Sequence, residues 1–191
     1  MVEITLPILL QIVQTVALIV GIVYYISIMR NQQKTRELTL ESQELTRKAQ
    51  EHAVETRQAQ LAMQLVNQWI QPSMFESRAY YTGLRVKDFE HFVEIWNDPE
   101  TNRLIRTWGG YCEGIGVLVR QGYLDIKIIA HMMGGVVKSD WERVAHIIPE
   151  WRESWGIPRG WIEWEYLYNA LIQYGEEHPE LGIQDSIYKN L

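Results

Sequence analysis

The first apolar stretch of the chain is uninterrupted, since residues 4–29 contain no charged side chain. Glu3 precedes this run, and Arg30, Lys34 and Arg36 follow it. At about 1.5 Å of rise per residue, a helix over the run would measure roughly 39 Å, which exceeds the roughly 30 Å of a bilayer's hydrocarbon core. The pattern predicts a tilted transmembrane anchor over residues 1–29.

A cleaved secretory signal is the alternative interpretation of this run. Such a signal has basic residues before a shorter apolar core and a small-residue cleavage site after it. Here Glu3 precedes the run, and Tyr24 and Tyr25 lead into a polar segment. Because basic residues at the end of a span favour the cytoplasmic side, we expect a single-pass protein of the cell (plasma) membrane. Its N-terminus would lie outside and its C-terminal domain in the cytoplasm.

The polar segment that follows also favours a helix. No glycine or proline lies between Gly21 and Pro72, and residues 30–71 are rich in Gln, Glu, Lys, Arg, Leu and Ala. These residues favour the helix, whereas Pro7 suits a first turn and Pro72 a stop. The pattern predicts one helix over residues 7–71, roughly 97 Å long at the standard rise. Its residues 30–71 would form a juxtamembrane rod.

Apolar and small residues recur along the rod at alternating spacings of three and four, which is the pattern of a coiled coil. The positions are Leu38, Ser42, Leu45, Ala49, His52, Thr56, Ala59, Met63, Val66 and Ile70. We expect self-association through the seam formed by Leu38, Leu45, Ala49, Ala59, Met63, Val66 and Ile70. The middle of the seam is small and polar and would bury little surface. A solitary helix linking membrane and domain therefore stays open.

Residues 72–191 show short helical patterns without alternating strand signals, which predicts a cytosolic all-α domain. Asp88, Asp98 and Asp125 indicate helix starts, and Gly122 indicates a stop. Helices are expected over residues 88–96, 98–121, 126–137, 141–155 and 161–175, with a new start at Ser139 and Asp140 and a bend at Pro149. The tail after residue 179 is expected to be loosely held.

Polar residues on one side of the apolar run bear on assembly. Gln11, Gln14 and Thr15 share this side, which continues to Gly21. Side-chain amides facing lipid are costly, so the side is expected to face another helix or water. We expect an oligomer interface in the membrane, with an aqueous pore as the alternative. The run contains no Asp, Glu, Lys, Arg or His, the strongest indicators of ion transport.

Four glycines interrupt the predicted central helix at Gly109, Gly110, Gly114 and Gly116. Each costs about 1 kcal/mol relative to Ala in a helix interior, so close approach of another helix is the expected compensation. Gly110 and Gly114 share a face, as do Gly109 and Gly116. A phosphate-binding loop is disfavoured because no strand precedes the glycines and no Lys-Ser or Lys-Thr follows.

Glu113 lies among these glycines and next to apolar residues, which predicts a buried structural charge. A buried carboxylate needs a partner. Arg106, Arg120, His131 or a tyrosine was the expected choice from the sequence, since each offers a cation or a hydroxyl.

Composition narrows the function classes. The net charge of −6 is spread over interleaved acids and bases, so no nucleic acid partner is expected. Metal-ligand spacings are absent, and the single cysteine, Cys112, lies in an apolar helical setting that predicts an unreactive thiol. We expect no cofactor, no metal and no catalytic residue. The eight tryptophans favour an aromatic core over an exposed docking surface.

Three segments carry a resemblance to a known family: residues 102–105, 113–117 and 122–126. With the order of elements from the anchor onward, they resemble an uncharacterised prokaryotic family, domain of unknown function 4760. The resemblance covers nearly the whole chain and implies one N-terminal span, a charged helix and a compact helical domain. It implies no activity. The doubled Gly109-Gly110 and the tryptophan content depart from the family pattern.

Three hypotheses for function follow from the sequence. The first is a non-enzymatic, oligomeric, single-pass membrane protein that holds its helical domain as a scaffold or docking platform for a protein partner. The second is a homo-oligomeric channel whose pore is lined by the Gln11 and Gln14 side and whose cytosolic domain acts as a gate. The third is an accessory subunit that anchors a soluble complex to the bilayer.

Overall fold

The computed structural model describes residues 6–183, which form seven α-helices and one short 3₁₀ helix and contain no strand. The predicted all-α class is confirmed. Glu3, Ile4 and the chain beyond Ile183 lie outside the described residues. The α-helices are α1 Leu6–Trp69, α2 Pro72–Gly83, α3 Phe89–Asn97, α4 Pro99–Arg120, α5 Ile126–Val144, α6 Ile148–Trp155 and α7 Ile162–Glu177, and the 3₁₀ helix is Pro179–Leu181.

Side-chain caps begin three of these helices where the sequence predicted them. Carboxylate oxygens accept backbone hydrogen bonds in each case: Asp88 from His91 N at 2.9 Å, Asp98 from Thr101 N at 2.9 Å, and Asp125 from Lys127 N at 2.8 Å. Gly122 follows α4 with φ +71°, a left-handed conformation that glycine adopts without a Cβ penalty. These helix boundaries are therefore fixed by local chemistry.

The predicted division between α5 and α6 is wrong. Ser139 and Asp140 do not start a helix but lie inside α5, and both are buried. The break falls instead at residues 145–147, immediately before α6, where Pro149 occupies the first turn. Proline lacks the N–H that a helix interior needs, so it suits this first turn and does not bend a longer helix. The sequence Ser-Asp resembles a cap, but here tertiary burial determines its place.

The chain divides into two compact units at Glu55 and Thr56, inside α1. The first unit contains the apolar stretch and the following polar turns of α1, and almost all its described residues are exposed. In the second unit α4 is central, because it packs against α7, α2 and α3, while α5 packs against α7. Residues 56–69 of α1 belong to this second unit.

Tryptophans form much of the core of the second unit, in agreement with the predicted aromatic core. Trp151 lies 5.0 Å from Trp161 and 5.3 Å from Trp96, measured between ring centroids, and Trp161 lies 5.5 Å from Trp164. Edge and tilted contacts at such distances are favourable beyond the area that they bury. Of the eight tryptophans, Trp155 alone is classed as exposed, at 37%. The core therefore uses most of the aromatic surface that could otherwise have served docking.

The chain after α7 is packed as far as it is described. Ile183 is only 2% exposed and belongs to the main core cluster. The expectation of a loosely held tail is wrong for residues 179–183, because burial of Ile183 holds this segment in place.

Candidate functional site

The seam predicted along α1 is exposed in the first unit. Leu45 is 62% exposed and Leu38 is 56% exposed, and Ala49 is exposed as well. Thr46 donates its hydroxyl hydrogen bond to the Ser42 carbonyl at 2.8 Å, so this hydroxyl is satisfied within the helix. Two large apolar side chains on a polar helix are thus left in contact with solvent, where a partner helix would gain by burying them.

In the second unit, α1 uses a different face to pack on the domain. Leu65 is buried and Leu61 and Trp69 are partly buried against the core. Met63 and Ile70, from the predicted seam, are 60% and 69% exposed. At 3.6 residues per turn, the two faces are about 150° apart around the helix. Packing of α1 on its own domain therefore leaves Met63 and Ile70 uncovered.

The remaining seam residues in this unit differ from one another. Ala59 is exposed, whereas Val66 is half-buried because it lies between the two faces. The structure thus leaves Ala59, Met63 and Ile70 accessible and places Val66 at the edge of the domain contact. No association is observed for a single chain, so the coiled coil stays a prediction.

The N-terminal part of α1 is long and apolar enough to cross a membrane, and its apolar window has no residue buried within the described chain. Thr15 donates its hydroxyl hydrogen bond to the Gln11 carbonyl at 2.8 Å. Within residues 6–183, the side-chain amides of Gln11 and Gln14 make no hydrogen bond, and Gly21 has open space around it. Two amides on an apolar helix are therefore available for contacts outside this chain.

Glu113 makes a structural contact in the domain, but with a partner other than the expected ones. Its Oε2 accepts hydrogen bonds from the backbone N–H groups of Glu163 at 3.0 Å and Trp164 at 2.8 Å. These groups belong to the first turn of α7, which has no side-chain cap of its own. The α4 carboxylate therefore caps α7 from a distance of 50 residues in the chain, where the helix dipole also favours negative charge.

The pKa of Glu113 reflects opposing effects. Burial raises the pKa of its carboxyl, and the hydrogen bonds from Trp164 and Glu163 lower it in part. Glu163 itself forms an ion pair with Arg120, with 2.6 Å between Oε2 and Nε. Arg120 was an expected partner of Glu113, but its guanidinium neutralises this neighbouring acid instead. Every contact here holds α7 on α4.

The start of α7 is held tightly against two glycines of α4. A Cβ on Gly116 would lie 2.1 Å from the Glu163 carbonyl oxygen, and a Cβ on Gly109 would lie 2.6 Å from the Trp161 ring. Trp161 has φ +51°, and it is the one described residue other than glycine with positive φ. Such strain persists when the surroundings hold the backbone in place. Here the packing of the Trp161 ring over Gly109 and the Glu113 carboxylate cap hold it.

The close-packing prediction for Gly110 and Gly114 is wrong within the described chain. A Cβ at either position would meet no heavy atom within 4 Å, and both residues are exposed. The close approach that the glycines allow takes place on the neighbouring face, at Gly109 and Gly116. Gly110 and Gly114 instead form the floor of an open groove of about 640 Å³ between α4, α2 and the end of α1.

The groups that could carry chemistry are restrained by burial. Burial raises the pKa of the Cys112 thiol well above its ordinary value, which disfavours the reactive thiolate. The Tyr111 hydroxyl donates to the Leu65 carbonyl at 2.8 Å. Residues 6–183 contain no group of three or more His, Cys, Asp or Glu side chains placed to hold a metal ion.

One charged residue that the sequence interpretation missed is Asp140, which is fully buried. The available signal was periodic: Asp140 follows Met133, Val136 and Val137 at spacings of seven, four and three. These spacings place it on the apolar face of α5. The adjacent serine suggested a helix start and obscured this position.

The comparisons with known proteins identify the family. The family model described as "Domain of unknown function (DUF4760)" matches residues 11–171, and the chain belongs to this family. The matched range includes most of α1 and extends into α7. No curated protein and no solved structure gives a significant match.

Proposed function

We propose that this protein is a single-pass membrane protein that self-associates and presents its helical domain as a non-enzymatic scaffold or docking platform. The exposed seam on α1 is the observation that carries the proposal. Leu38 and Leu45 in the first unit, and Met63 and Ile70 in the second, lie outside the surface that their own unit buries, whereas Val66 lies at its edge. A second copy, related in parallel by the membrane, would cover the seam with the same residues.

The apolar part of α1 supports the membrane component. Its exposed aliphatic side chains would gain from contact with lipid, and Arg30 and Lys34 follow it one turn apart. On this topology the basic end and the domain lie in the cytoplasm. The amides of Gln11 and Gln14, which make no hydrogen bond within residues 6–183, would bond across the oligomer axis, since a polar group in hydrocarbon otherwise stays unsatisfied.

Neither the seam nor the amides would suffice alone. Small side chains occupy the middle of the seam, and interhelical hydrogen bonds in membranes contribute about 0.6 to 2 kcal/mol each. Association therefore rests on both surfaces acting together, with the bilayer restricting the copies to one orientation. A protein partner would dock on the domain so presented.

Cysteine crosslinking of the full chain in lipid nanodiscs tests the proposal. Leu45→Cys places a thiol on the seam, and Gln43→Cys is the matched control, about 160° away around the same helix. The buried native Cys112 adds little background. We expect a disulfide dimer from Leu45→Cys in large excess over the control. Equal crosslinking at both positions, or none at either, would contradict a seam between copies.

A homo-oligomeric channel is the second candidate, and the same two amides favour it. In a wider assembly Gln11 and Gln14 would face water instead of each other, and the domain would act as a gate. Planar bilayer recordings distinguish the two, because a channel predicts unitary currents that change with Gln14→Leu. Silence from correctly assembled protein would exclude the channel. The third candidate, an accessory subunit anchoring a soluble complex, predicts co-purification of that complex in mild detergent.

A further inference from the structure

Asp140 is a buried acid in the core of the domain. Its residue is 0% exposed, and neither carboxylate oxygen has a hydrogen-bond partner within the described chain. The nearest recorded cation is Arg143 on the same helix, with 3.8 Å between Nε and Oδ1. A buried carboxylate without hydrogen bonds is costly when charged, so this position requires a physical explanation.

Polar groups from two other helices face the same acid. The charge of Arg78 on α2 favours the Asp140 carboxylate. The indole N–H of Trp108 on α4 also favours the carboxylate, although the two groups do not meet standard hydrogen-bond geometry. The Tyr81 hydroxyl on α2 is fully buried and has no hydrogen-bond partner within residues 6–183. Burial raises the pKa of Tyr81 well above its ordinary value, and the negative charge of Asp140 adds to this rise. The acid thus lies where α2, α4 and α5 meet.

The other titratable groups around this junction do not compensate the charge of Asp140. Cys112 on α4 is buried as a thiol, and Trp164 of α7, which packs against Tyr81, carries no charge. Farther along α5, Lys138 and Glu142 pair with each other, with 2.9 Å between Nζ and Oε1. Burial raises the pKa of Asp140 to about 7, while Arg143, Arg78 and Trp108 oppose this rise only in part.

The acid is also connected to the end of α2. Arg143 donates from Nη1 to the carbonyl of Leu84 at 3.3 Å, and Leu84 is the cap residue that follows α2. Arg78 lies within α2 itself. A change in the charge of Asp140 therefore acts on α2 at two points, through Arg78 directly and through Arg143.

We propose that Asp140 is a buried proton-binding site whose protonation tightens the junction of α2, α4 and α5. The neutral carboxyl removes from the core a charge that Arg143 and Arg78 compensate only in part, whereas the carboxylate requires water or movement of α2 for its solvation. The domain of this membrane-associated family member would thus respond to pH changes around neutrality. This role is independent of self-association.

The sign of the effect distinguishes this site from an ordinary surface acid. A raised pKa means that the folded chain holds the proton over a range in which the unfolded chain has released it, from about pH 4 to about pH 7. Stability from this group is therefore present at acidic pH and is lost as the pH rises through 7. The unfolding equilibrium constant should rise by up to tenfold per pH unit within that range.

The test is urea unfolding of the full chain in detergent micelles from pH 5 to pH 8, followed by tryptophan fluorescence. In the wild type the unfolding equilibrium constant should rise by up to tenfold per pH unit, and in Asp140→Asn this rise should be absent. The matched control, Glu176→Gln, removes an exposed acid and should retain the rise. If Asp140→Asn and the wild type show parallel pH dependence, the proposal is overturned.

Two measurements on the wild type do not depend on a variant that folds. The chain has five aspartates, so selective ¹³C labelling of their carboxyl groups should resolve one that titrates near pH 7. Titration of all five below pH 5 would overturn the site. The rate of amide hydrogen exchange in α2 should rise between pH 6 and pH 8 by more than the intrinsic pH dependence of exchange. A rise that matches the intrinsic dependence alone would overturn the connection to α2.

Discussion

The closest contact between α4 and α7 offers the sharpest test of the packing, through Gly116→Ala. The added Cβ would lie 2.1 Å from the Glu163 carbonyl oxygen, whereas ordinary contact begins at 3.4 Å. The obstacle is backbone, so no side-chain rotation can relieve it. The start of α7 would have to move by about 1.3 Å, and this same segment donates the two hydrogen bonds to Glu113.

The expected cost combines three effects of known size. Overpacking a core costs about 1 to 3 kcal/mol, and weakening hydrogen bonds to a charged acceptor costs about 1.5 to 3 kcal/mol. Alanine returns about 1 kcal/mol through its higher helix propensity. We expect Gly116→Ala to lower the free energy of unfolding by about 3 kcal/mol.

Gly114→Ala is the matched control, because it makes the same change in the same helix at a position with open space. It should raise the free energy of unfolding by about 0.5 to 1 kcal/mol, through propensity alone. Urea unfolding of the full chain in detergent, followed by tryptophan fluorescence, measures both. If the two variants change stability in the same direction by similar amounts, the contact between Gly116 and Glu163 does not determine this packing.

Three further predictions concern other contacts. Glu113→Ala should lower the free energy of unfolding by about 2 kcal/mol because α7 loses its distant cap. Glu113→Gln should lower it less, because the amide oxygen can still accept a hydrogen bond. Urea unfolding checks this order, and equal costs for the two variants would contradict it. Cys112 should react with a thiol reagent only as fast as the domain unfolds, so rapid labelling of the folded chain would contradict its burial. Gln14→Leu should weaken energy transfer between labelled copies in liposomes, whereas Val13→Leu should leave it unchanged; equal transfer in both would remove Gln14 from the proposed interface.

Local chemistry made several helix boundaries predictable from the sequence. The caps at Asp88, Asp98 and Asp125 depend on a carboxylate and an N–H two or three residues away, so the sequence contains the whole interaction. The extent of α1 was predictable for a related reason. Good helix formers without glycine or proline after Gly21 leave no stop before Pro72.

For contacts between distant segments, the sequence predicts that a contact is needed but not which segment makes it. Spacing placed Gly110 with Gly114, and Gly109 with Gly116, on shared faces, but it could not tell which face α7 covers. The sequence predicts that Glu113 needs a partner. That partner is the backbone of α7, and no pattern of side chains in the sequence indicates a backbone contact of this kind. Asp140 was missed because the adjacent Ser139 suggested a helix start and obscured its place on the apolar face of α5.

Counting the copies of the chain in a bilayer tests the central claim most directly. The full chain, carrying one fluorophore, is reconstituted into liposomes over a range of lipid dilutions, and photobleaching steps are counted for single particles. A self-associating membrane protein predicts particles with two or more steps that persist on dilution beyond the fraction expected from chance co-occupancy. Single steps throughout the dilution series would contradict it.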